Sequence, residues 1–261
     1  MTTPNTPMFG NYEMHPGSGV NPPYSPAYPV EWECPLRTLE VVTRVGRAKV
    51  EKLLSDTPFE LVNDRVAFRF MLSPGHTLAI HAGQMFDLMV TVPVRYQDLF
   101  TQTHIYMYCS DPMGICAGRE LFGYTKKDTH YAFDETADGA ISGWVRRRGV
   151  PLVDYSFMPD SSAPMVMLTD ESEQPGGEIH VRRLPDPEKV GTAYADVVYR
   201  RTPLQYTKPV PGRIDWALYQ SSYDPIADLA PEVLSAHFMT SDVYGGGFAA
   251  EDRRLLKRLI P

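Results

Sequence analysis

Apolar and polar positions alternate along this chain in short spans, and most of those spans predict strands. Residues 37–44 read Arg-Thr-Leu-Glu-Val-Val-Thr-Arg, alternating and rich in β-branched side chains. The same pattern predicts strands near 59–72, 77–82, 86–95, 103–109, 130–134, 139–147, 151–158, 178–183, 193–200 and 214–220. Helical spacing is scarcer. Val50, Leu53 and Leu54 predict a short helix from Arg47 to Ser55, ended by Thr57-Pro58. Pro112 is placed to start a second one, through about Glu120. Leu229 to Leu234 reads as a short helix or turn, and Glu251 to Leu259 as an amphipathic C-terminal helix. Many strands with few helices predict a mainly antiparallel α+β fold.

Residues 1–35 differ from the rest. They hold eight of the 24 prolines, with Tyr12, Tyr24, Tyr28 and Trp32 interspersed. Proline fixes φ and removes a backbone donor, so this arm is neither regular helix nor central strand. Its composition fits a disordered leader, and its aromatic residues fit an arm packed on its own domain or on a neighbouring subunit. Residues 36–261 are then expected to form a single domain. The run Gly245-Gly246-Gly247 follows no strand–helix phosphate-loop pattern and reads as a hinge.

Charge narrows the choice of partner. A net charge of −7 offers no footprint for nucleic acid or an anionic membrane. Three cysteines, Cys34, Cys109 and Cys116, are too few for a disulfide framework and have no zinc spacing. No stretch reads as a signal peptide or spans a membrane. The expectation is a soluble cytoplasmic protein. The seven histidines form no metal set that spacing reveals, and the sequence leaves open which sheet face His104 occupies. Asp98, Asp111 and Asp128 read as turn or cap residues. Cys116 reads as core, and the Arg146–Arg148 run as solvated surface.

The segment Gly118-Arg119-Glu120-Leu121-Phe122-Gly123-Tyr124-Thr125-Lys126-Lys127 carries the candidate chemistry. Most adjacent lysines are solvated charge. A catalytic reading needs a neutral amine, because only the free base attacks a carbonyl. An ordinary lysine, with a pKa of about 10.4, is protonated at pH 7. Desolvation and a neighbouring cation both disfavour the ammonium form. Holding it neutral takes roughly 4–5 kcal/mol of differential stabilisation.

This segment resembles the motif of the acetoacetate decarboxylase family, in which Gly-Arg-Glu precedes Tyr-Pro-Lys-Lys or Phe-Pro-Lys-Lys. That family supplies the established instance of a lysine activated by burial and a second cation. Further segments match in order: Val92-Pro93-Val94, Tyr106 to Pro112, Gly143 to Val150, Tyr223-Asp224-Pro225 and Ser241-Asp242-Val243. The resemblance runs from about residue 37 to 245. It implies a cone-like, mainly antiparallel β-barrel or sheet enclosing a pocket, with a few peripheral helices. It also implies a Schiff base on Lys126 with Lys127 beside it, a carboxylate at Asp87, and substrate contacts from Arg44 and Tyr124. The separation of Asp87 from Lys126, 39 residues (126 − 87), equals the family's.

Three departures stand out. Asp87 replaces a glutamate and shortens its reach. Arg69 aligns with a second family carboxylate, so a cation is expected among the substrate contacts. Thr125 replaces the proline before the lysines. The resemblance implies decarboxylation of a small β-keto acid resembling acetoacetate, by a homo-oligomer without organic cofactor or metal. Two alternatives remain: a pyruvate-dependent aldolase-dehydratase using the same lysine, and a non-catalytic keto-acid binding protein.

Overall fold

The computed structural model describes residues 36–74, 84–170, 177–185, 192–200, 206–241 and 253–260. The proline-rich arm with Cys34, the strand expected at 77–82, His76, His81 and the glycine run at 245–247 lie outside the described residues.

The strands are β1 (Leu36–Arg44), β2 (Glu60–Leu61), β3 (Arg65–Ser73), β4 (Met85–Tyr96), β5 (Leu99–Cys109), β6 (Lys126–Asp128), β7 (His130–Glu135), β8 (Ile141–Arg147), β9 (Val150–Pro159), β10 (Glu178–Pro185), β11 (Thr192–Arg200), β12 (Val210–Leu218), β13 (Glu232–Ser241) and β14 (Arg253–Ile260). Among the described residues two short α-helices accompany them: α1 (Arg47–Leu54) and α2 (Pro112–Ala117). A single π-helical turn, Gly118–Phe122, continues α2, and a 3₁₀ turn covers Ile226–Leu229.

All fourteen strands belong to one sheet, ordered β14-β11-β10-β5-β4-β3-β1-β13-β12-β9-β8-β7, with β2 on β4 and β6 on β5. The pairings are antiparallel except those of β5 with β10 and with β6. Among the described residues β14 and β7 end the order unpaired with each other, so the sheet is open. No helix among them is long and apolar enough to cross a membrane.

Strand periodicity separates two faces. One carries Leu39, Val41, Phe68, Phe70, Leu72, Phe86, Leu88, Val90 and Tyr108, which form the main apolar cluster. Burying one such side chain contributes roughly 1.5–3 kcal/mol, so this face holds the strands in register. The intervening positions face the other way. They include Glu40, Arg69, Asp87, Met89, Met107 and Cys109, aligned by pairing of Glu40 with Arg69, Arg69 with Met89, Met89 with Met107, and Asp87 with Cys109. Polar groups buried here require partners, and that requirement shapes the site.

Two expectations are corrected. Residues 253–260 form β14 rather than a helix: they pair antiparallel with β11, from Arg253 opposite Arg200 to Ile260 opposite Ala195. An amphipathic sequence with basic positions suits either state, and the open edge of β11 decides in favour of the strand. The helix or turn expected at 229–234 is the earlier turn Ile226–Leu229, after which Glu232 already begins β13.

Candidate active site

Lys126 opens β6, a three-residue strand that pairs in parallel with β5, Met107 opposite Lys126 and Tyr108 opposite Lys127. Cross-strand partners share a face. Lys126 therefore joins the row containing Glu40, Arg69, Met89 and Met107, and is only 6% exposed. Its Nζ lies 3.0 Å from Asp87 Oδ1 and 3.3 Å from Oδ2. Cys109 Sγ is 3.7 Å away, and the ring of Tyr124 lies 5.8 Å from Nζ. Burial, reinforced by the charge of Asp87, raises the Cys109 thiol's pKa, so it stays protonated beside the amine.

The turn before β6 holds the lysine's stem. Gly123 adopts φ of +75°, open to glycine at no steric cost, and a Cβ there would meet the backbone of Arg182 at 2.7 Å. At Gly118 a Cβ would lie 2.8 Å from Lys126 Cδ and 3.0 Å from the Tyr124 ring. The glycines of the motif thus let the π-helical turn press against the Lys126 side chain.

Lys127 points the opposite way, as the strand period requires. Its Nζ donates to Asp224 Oδ1 at 2.7 Å and to the Tyr223 carbonyl at 3.2 Å. Asp224 also accepts from Arg147 at 2.9 Å and from the Tyr108 hydroxyl at 3.4 Å. Burial opposes the ionisation of Asp224, but hydrogen bonds and charge from Lys127 and Arg147 outweigh it and lower its pKa. The structure therefore does not bring Lys127 to the Lys126 amine; it ties β6 to the segment before the 3₁₀ turn. Arg147, expected on solvated surface, has a side chain only 12% exposed.

Arg44 also stands apart. It ends β1, exposed, with Asp64 at 3.4 Å and Glu232 at 3.5 Å. Four residues along a strand separate it from Glu40, about 13 Å, so it lies beyond the row that contains Lys126. Arg69 is in that row. It donates through Nε to Glu40 and through Nη1 to Gln102 at 3.0 Å, and His237 Nε2 lies 3.3 Å from Glu40. Burial opposes ionisation of Glu40, but Arg69 and His237 hold its pKa at about 2.

Tyr124 lies between the lysine and a second buried group that sequence reasoning missed. Its hydroxyl donates to Glu178 Oε2 and accepts from Arg200 at 2.6 Å. Its ring lies 5.5 Å from that of His104 and 4.6 Å from that of His180. His104 therefore occupies the same face as Lys126. Cys116, expected in the core, is exposed on α2, and Asp111 caps that helix by accepting from Gly114 N at 3.1 Å.

The open, mainly antiparallel sheet carries a buried lysine paired with a carboxylate on one face, and comparison identifies the family. The family model for acetoacetate decarboxylase (ADC) matches residues 18–255, and the chain belongs to that family of keto-acid enzymes. Solved structures agree in fold. Acetoacetate decarboxylase from Legionella pneumophila is 15% identical over 99% of both chains, with a TM-score of 0.76. The enduracididine biosynthesis enzyme MppR, solved with pyruvate, is 15% identical over 88% of this chain and 91% of its own, with a TM-score of 0.69. An acetoacetate decarboxylase-like enzyme from Sphingomonas wittichii RW1 is 12% identical over 88% of this chain and 95% of its own, with a TM-score of 0.68. No curated protein matches the chain.

Proposed function

We propose that the protein is a cofactor-independent lyase that forms a Schiff base between Lys126 and a small keto acid, and that decarboxylation of a β-keto acid is its reaction. The observation that carries this reading is the buried Lys126 Nζ lying 3.0 Å from Asp87 Oδ1, within the family's lysine motif. Asp87 accepts the ammonium proton, and the free amine attacks the ketone. Loss of water leaves a protonated imine. That imine takes up the electron pair released when the neighbouring carbon loses carbon dioxide. Protonation of the resulting enamine at carbon, followed by hydrolysis, returns the amine and releases the ketone. Arg69, in the lysine's row, supplies the positive charge toward the substrate carboxylate, a role that its position favours over Arg44. Tyr124 walls the site on the other side. Lys127 acts through Asp224, by holding β6.

One comparison favours a second reading. MppR has also been solved with the condensation product of pyruvate and imidazole 4-carboxaldehyde, and an aldol-type reaction on pyruvate needs the same lysine. Borohydride trapping with acetoacetate and with pyruvate in separate reactions, read by peptide mass spectrometry, tests both. A reduced adduct on Lys126 is expected, absent in Lys126→Ala, which keeps its fold and loses turnover. The better-trapped acid tells decarboxylation from condensation. An adduct on another lysine, or full activity in Lys126→Ala, refutes the imine reading, and binding without any adduct identifies a keto-acid binding protein.

A further inference from the structure

The strands β5 and β10 bring His104, Glu178 and His180 together, all buried, with one donor atom of each within 4.8 Å of the others. Both imidazoles are held from behind. His104 Nδ1 lies 2.9 Å from Thr91 Oγ1, and His180 Nδ1 lies 3.2 Å from Thr103 Oγ1. Both Nε2 atoms are buried without a hydrogen-bond partner. A buried imidazole nitrogen without a partner is costly, and His180 Nε2 is one, set beside a carboxylate. His104 Nε2 and Glu178 Oε1 are already 3.4 Å apart. In a tetrahedral site with bonds of about 2.1 Å, neighbouring donors sit roughly 3.4 Å apart, so closure requires side-chain movements of about 1 Å.

We propose that His104, Glu178 and His180 bind a divalent metal ion of the zinc class, through both Nε2 atoms and Glu178 Oε1. Two histidines and a carboxylate are a set of three that leaves the fourth position of a zinc ion open. The threonine hydroxyls act as the outer partners that orient each ring. Arg200 is a neighbouring positive charge. Its Nη1 is 4.0 Å from Glu178 Oε2, the oxygen that already accepts from Tyr124, so the guanidinium and the ion use different oxygens. The site shares Tyr124 with Lys126, whose Nζ faces the same ring. The place for the ion therefore adjoins the Lys126 side chain by way of the Tyr124 ring.

The test uses the full untagged chain, stripped with a chelator and titrated with Zn²⁺ against a chromophoric competitor, then with Co²⁺ to read its visible absorption bands. One ion per chain is expected, with cobalt bands of a four- or five-coordinate site. His180→Ala and His104→Ala lower the affinity by 100-fold or more, and Thr103→Val lowers it by about 10-fold. Circular dichroism of each variant verifies the fold, and should His180→Ala unfold, His180→Gln replaces it. Lys126→Ala binds the ion like wild type, so failure of the imine reading leaves this result intact. Wild-type affinity within threefold of the histidine variants, or cobalt bands of a six-coordinate ion, overturns the site.

Discussion

Replacing Asp224 by asparagine isolates the work of the second lysine. The substitution keeps the side chain's shape but removes the charge shared by Lys127 at 2.7 Å and Arg147 at 2.9 Å. Removing one partner of a fully buried pair costs about 3–5 kcal/mol. Lys127 is 35% exposed and Arg147 12%, so both cations retain a route to water, and an exposed pair contributes at most about 1 kcal/mol. The expected loss is about 2–3 kcal/mol, or a fall in Tm of about 4–12 °C for a chain of this size. The pH dependence has a definite sign. Asp224's pKa is lowered in the folded state, so its contribution is full above the unfolded value of about 3.9 and fades as pH falls through the lower folded value. The Tm difference between wild type and Asp224→Asn is therefore constant from pH 8 to about 5 and shrinks below about 4. Calorimetry reads both quantities, and borohydride trapping on Lys126 is expected to slow by about tenfold as β6 loosens. A Tm within 1 °C of wild type, or a gap that widens on acidification, refutes the assignment of Asp224 as the anchor of β6.

Two further variants probe the same face. Gly118→Ala sets a methyl group 2.8 Å from Lys126 Cδ; it is expected to slow imine trapping at least tenfold and to cost about 1–3 kcal/mol in thermal stability, and unchanged trapping rejects the close approach. Glu40→Gln leaves Arg69 without its carboxylate. With the folded pKa of Glu40 at about 2 against 4.5, the loss is about 3 kcal/mol, present above pH 4.5 and vanishing toward pH 2, read as Tm against pH.

Much of this arrangement was legible in the chain because it is local. The alternation in β1, β3 and β4 follows from side chains that must sort to two faces, and the lysine motif lies in one ten-residue stretch. The spacing of Asp87 from Lys126 also led to a real pair, since their strands both flank β5. What was hidden depends on long-range pairing. His104 and Glu178 are 74 residues apart (178 − 104) and meet through the parallel contact of β5 with β10, which no local pattern encodes. The C-terminal strand is hidden for the same reason: its residues tolerate a helix, and the edge of β11 selects the strand. Arg44 matched the motif's order along the chain, yet its place at the exposed end of β1 separates it from the lysine's row.

The adjacent lysines show why order along a chain and position in a site are different things. On a helix their side chains would diverge by about 100°, and on β6 they are turned to opposite faces. One amine is enclosed with Asp87; the other is spent on Asp224. A field from Lys127 on the Lys126 amine must cross the sheet and is partly cancelled by a carboxylate 2.7 Å from its source. The second lysine is then worth more as a tether than as a charge. Lys127→Met, which removes the ammonium but leaves Arg147 paired with Asp224, is expected to lower Tm by less than Asp224→Asn and to slow trapping no more than it does. A Lys127→Met variant as stable as wild type, yet slowed far more in trapping than Asp224→Asn, would instead show that its charge acts directly on the amine.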